Sequence, residues 1–123
     1  MSYDYLKENA HKFLENAQHL FRNGVYNLSA FNIEQAIQMY LKYFLAIKLG
    51  EFPKTHSLKR LFMEIKDLCL EAYNIFEENI GTFGDIESAY ITSRYFPTEF
   101  LEKEISQMLG VADEVRRAIE NCL

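Results

Sequence analysis

Tryptophan is absent from this chain, and cysteine and proline occur only twice each. Cys69 and Cys122 stand far apart and form no CxxC pair, which speaks against a disulfide framework and against zinc ligation. Cys69 falls within an apolar helical pattern, where a cysteine behaves as a small hydrophobe. The chain also lacks a P-loop, a GxGxxG turn, an HExxH pair and a catalytic-serine signature. Met1-Ser2-Tyr3-Asp4-Tyr5 has no basic region leading into an apolar run, and no segment is apolar for long enough to cross a bilayer. The expectation is a cytoplasmic protein with no membrane association. Basic charge is in deficit: 13 Lys and Arg against 18 Asp and Glu leave a formal charge of −5. Broad, non-specific nucleic-acid binding needs a basic surface and is disfavoured, although a small local basic pocket is compatible with this balance.

What is present is helix. The chain has 123 residues, 49% of them hydrophobic, enough for one domain over residues 1–123 with one core. Leu6, Ala10, Phe13, Leu14, Ala17, Leu20 and Phe21 recur at three- and four-residue steps and predict a first helix over about Tyr3–Asn23. Asn23-Gly24 stops it. A second helix is expected over Tyr26–Leu49, stopped by Gly50. Between Ala36 and Ile47 only Gln38 and Lys42 are clearly polar, so this helix is either the centre of a bundle or also a dimer surface. Thr55 is the expected N-cap of a third helix running through Leu58, Leu61, Phe62, Ile65, Leu68, Cys69 and Ala72, continuing towards Gly81 or breaking near Tyr73-Asn74. A shorter fourth helix is expected from Asp85 to just before Pro97. The fifth takes Thr98 as N-cap, with Glu99, Glu102 and Glu104 near its positive end. The expected fold is all-α, an antiparallel up-and-down bundle of four to five helices.

If the helices alternate in direction, one end of that bundle gathers Lys48, His56, Arg94, Tyr95 and Thr98. Two helix N-termini would then point free amides at the same place, a setting for an anion such as phosphate. Competing readings attach to each candidate. Arg94 offers a forked guanidinium to a phosphate, or pairs with Glu87, Glu99 or Glu102. His56 is an acid–base group or a packed ring at a helix start. Tyr90 and Tyr95 stack on a base or pack locally. Glu34 and Gln35 meet a ligand or partner subunit, or are hydrogen-bonded inside the bundle. His11 and His19 share a helix but have no third ligand in sequence, so no metal is expected, and no cofactor.

Three segments, in order, resemble the HEPN family (higher eukaryotes and prokaryotes nucleotide-binding domains). They are Tyr26–Ala36 with Met39–Lys42, then Thr55-His56-Ser57-Leu58, then Ala89–Pro97. The resemblance implies a helical bundle that often forms a homodimer. It also implies a minimal nucleotidyltransferase as partner, in some members within a toxin–antitoxin pair. Active toxins of the family are RNases marked by an arginine, four to six residues, then a histidine. Here no histidine follows Arg94. The reading is therefore a non-catalytic module that binds a nucleotide or the partner protein through Arg94, Tyr95, His56 and Thr98. The alternatives are a metal-independent RNase using Arg94 and His56, and a structural assembly protein built on the apolar Met39–Ile47 segment.

Overall fold

A computed structural model describes residues 2–95, without the side chain of Arg94, and 99–123. Among the described residues there are six helices and no strand: α1 (Asp4–Arg22), α2 (Tyr26–Leu49), α3 (Leu58–Ile65), α4 (Leu70–Glu78), α5 (Ile80–Tyr95) and α6 (Glu102–Asn121). Every long helix packs on α2. Ala36, Ile37, Leu41, Phe44 and Leu45 of α2 are fully enclosed, which is why a segment apolar on nearly all sides is stable there.

The contacts give the directions. Leu6 near the start of α1 meets Tyr43 and Ala46 near the end of α2, while the Ser29 hydroxyl near the start of α2 donates to the Ala17 carbonyl. On α5, Tyr90 faces Phe31 and Glu87 acts on Glu34, so the residue numbers run in opposite senses. Phe100, two residues ahead of α6, lies beside Val25 and Tyr26, and Arg116 on α6 acts on Tyr40, so the numbers run in the same sense. Helices α2 and α6 thus point one way and α1 and α5 the other, as an up-and-down bundle requires. The short α3 and α4 complete one side, where Phe62 stacks on Phe76 at 4.7 Å and meets Phe83 edge-on at 5.0 Å between ring centroids.

The expected third helix is two helices. It breaks at Lys66–Cys69, not at Tyr73-Asn74: the Leu68 and Cys69 amides both donate to the Ile65 carbonyl and close the turn. Its N-cap is Ser57 rather than Thr55, with the Ser57 hydroxyl accepting from the Arg60 amide at 3.2 Å. The expected fourth helix starts earlier, at Ile80, and carries Gly81, Gly84 and Asp85 inside it. Buried Phe83, Ile86 and Ala89 at three-residue spacing tie that turn to the core and outweigh the helix penalty of two glycines. Helix α6 begins at Glu102 with Leu101 as its N-cap, the Leu101 amide donating to Glu104, so the cap is not at Thr98 as expected; Thr98 itself lies outside the described residues.

The cysteine expectation is also corrected. Cys69 and Cys122 form a disulfide, with Cα atoms 5.7 Å apart although 53 positions separate them. Cys69 sits in the α3–α4 break and Cys122 caps α6, and the fold brings these two points together. Among the described residues no helix is long and apolar enough to cross a membrane.

Candidate functional site

Gly50 ends α2 in the left-handed conformation, φ 83°, which glycine adopts without a Cβ clash. Its carbonyl accepts from the Tyr3 hydroxyl at 2.7 Å. The chain then turns back along α2. Phe52 lies edge-on to Tyr3 and beneath the Lys42 ammonium, and His56 arrives against Tyr90. The start of α3 therefore sits beside the first half of α2, not beyond its end.

There the rings of Phe31, Tyr90 and His56 make a stack contributed by α2, α5 and the α3 start. Tyr90 and His56 are 4.9 Å apart and Tyr90 and Phe31 6.3 Å apart, both pairs inclined by 25°. Tyr90 and Phe31 are half-buried, whereas His56 is exposed. Arg94 lies four residues beyond Tyr90 in the α5 sequence. Tyr95, 69% exposed, is next to it.

Behind the rings is a buried polar cluster. Glu34 is fully enclosed and Gln38 nearly so. The Gln38 amide donates to both Glu34 oxygens, and the Gln35 amide donates to one at 3.2 Å. Burial pushes the Glu34 carboxyl up to about 7, with Glu87 adding to the rise and the two amides and Lys42 opposing it. The same burial lowers the Lys42 ammonium. Glu87 itself accepts the Leu58 amide at 2.8 Å.

The sequence candidates fare unequally. His56 and Tyr90 meet, whereas the Arg94 side chain lies outside what the structure describes. Lys48 does not join them: it sits over the Phe44 ring at the far end of α2. The returning 50–57 segment is the reason, because it moves the α3 start away from that end. The pair of free helix N-termini is corrected in part, since at α3 the Leu58 and Arg60 amides are already taken by Glu87 and Ser57. Thr98 lies outside the described residues. Glu34 and Gln35 follow their interior reading, hydrogen-bonded within the bundle. Glu87, considered in the sequence only as an ion-pair partner of Arg94, secures α3 through the Leu58 amide; the ion pair itself falls on a side chain outside the described residues. The signal that could have marked Glu87 is its i, i+3 spacing to Tyr90.

This chain matches the HEPN domain family over residues 3–122. It belongs to that family. No curated protein matches it. One residue from each of the three HEPN-like segments named above meets in the ring stack: Phe31 from the first, His56 from the second and Tyr90 from the third.

A second polar group lies on the opposite side of α2. The Tyr40 hydroxyl and His11 Nδ1 are 3.0 Å apart, and burial raises the Tyr40 phenol to about 12. Arg116 beside it is bound to Asp113 at 2.7 Å and Glu120 at 3.2 Å. Its charge is engaged within its own helix. Among the described residues no group of three metal-ligating side chains occurs.

Proposed function

We propose that this HEPN domain is a non-catalytic binding module, and that its ring stack with Arg94 receives a nucleotide. The observation carrying this reading is the His56–Tyr90–Phe31 stack one helical turn from an arginine. A purine base lies against the exposed His56 ring, and the Arg94 guanidinium takes the phosphate through its forked donors. Two facts favour binding over RNA cleavage. No histidine follows Arg94. Among the described residues, no hydrogen bond orients the His56 ring nitrogens as an acid–base group requires. The homodimer and the nucleotidyltransferase partner belong to the same proposal. Ile91 and Tyr95, 53% and 69% exposed, stand four residues apart on α5 and offer one apolar strip beside the site.

Calorimetric titration with ATP tests the reading. Wild type is expected to bind, and Arg94→Ala and Tyr90→Ala to bind at least about tenfold more weakly, since a stacked base contributes roughly 1–3 kcal/mol. Equal affinity in all three proteins refutes it.

A further inference from the structure

Glu87 is half-buried on α5, one turn before Tyr90. The Leu58 amide that it accepts belongs to the first residue of α3, where no intrahelical carbonyl is available. The Leu58 side chain is buried in the core, so that amide needs a protein partner. Around it the segment is pinned residue by residue: Thr55 Oγ1 accepts from the Ser57 amide at 3.1 Å, and Ser57 Oγ accepts from the Arg60 amide. His56 lies within this stretch and carries no hydrogen bond to a described residue that would fix its ring.

One face of α5 therefore holds the α3 start at two points. Glu87 grips the Leu58 backbone, and Tyr90, three residues on, meets the His56 ring. We propose that Glu87 is the positioning residue of this site: its carboxylate sets the register of α3 against α5 and thereby seats His56 face-on over Tyr90. Glu34 supports this arrangement from behind. Its carboxyl is held by the amides of Gln38 and Gln35, and among the described residues the charged groups acting on it are Glu87 of α5 and Lys42 of its own helix. The inference deepens the nucleotide-binding reading by naming what builds the platform, but its test contains no nucleotide, so the two stand or fall separately.

The test is the NMR signal of the His56 ring protons, which lie in the shielding region of the Tyr90 ring when the two stack. Tyr90→Ala supplies the unstacked reference. Glu87→Met, similar in length but without an acceptor, is expected to move the His56 signals to that reference. Glu87→Gln, which keeps a carbonyl oxygen for the Leu58 amide, is expected to leave them in place. Unmoved signals in folded Glu87→Met overturn the proposal, as does an equal displacement in both variants. A purely structural role for Glu87 lowers stability in both variants without this split. Hydrogen exchange in the wild-type protein decides the matter if Glu87→Met does not fold. The Leu58 amide is expected to be more protected than that of Lys59, and equal exchange overturns the proposal.

Discussion

Replacing Glu34 by glutamine isolates the energetic consequence of enclosing a carboxyl group in α2. The folded protein holds this group at about 7, against an ordinary value of 4.5, because burial disfavours the anion more than Gln38, Gln35 and Lys42 favour it. The folded state therefore binds a proton that the unfolded state has released anywhere between those two values. Stability from this group is fully present below pH 4.5 and is lost as pH rises through about 7. At roughly 1.4 kcal/mol per pH unit, the loss between pH 5 and pH 8 amounts to about 2–3 kcal/mol. Glu34→Gln keeps the size of the side chain and removes the titration. Urea unfolding of both proteins at pH 5, 6, 7 and 8 measures the difference. The three histidines are common to both proteins, so their contributions cancel in the comparison. The gap between variant and wild type is expected to widen in favour of the variant by about 2–3 kcal/mol from pH 5 to pH 8. Parallel stability profiles would show that the Glu34 anion is accommodated without cost, and would refute the reasoning.

Two further outcomes are expected. Cys122→Ser opens a loop closed across 53 positions, which by chain-entropy arguments lowers stability by about 4 kcal/mol; thermal melts of oxidised wild type and variant measure it, and coincident melts count against the bond. End-labelled RNA incubated with the protein in EDTA is expected to remain intact, and cleavage by wild type but not by Arg94→Ala would replace the binding reading with a nuclease.

The long helices were legible because their apolar residues repeat with helical period and because Asn23-Gly24 and Gly50 mark real stops. The central place of α2 was legible for a related reason: Ile37, Leu41, Phe44 and Leu45 leave it no polar side to turn outward. The break at Lys66–Cys69 was not legible, since it holds neither glycine nor proline and rests on tertiary contacts of Cys69. Gly81 and Gly84 misled in the other direction, because local helix preference there is overridden by the burial of Phe83 and Ile86. The disulfide was hidden by sequence distance, which α4, α5 and α6 fold away. At the candidate site, His56, Tyr90 and Arg94 were visible as residue types in suggestive segments. The place where His56 and Tyr90 meet was not visible, because a connection's length does not reveal its direction.

That connection works as a ruler. Eight residues separate the end of α2 from α3, and an extended chain of that length reaches about 26 Å. The stretch of α2 between Phe31 and Leu49, at about 1.5 Å per residue, covers about 27 Å. Tyr3 anchors one end of the strap through the Gly50 carbonyl, and Glu87 anchors the other through the Leu58 amide. With both ends fixed, the residue count of the strap is a dimension of the site in its own right. Deleting one residue is expected to draw His56 towards Leu49, by up to about 3.3 Å, and off the Tyr90 ring, while an added residue is expected to be taken up as a surface bulge. A segment without helix thus measures out, residue by residue, where its exposed imidazole stands.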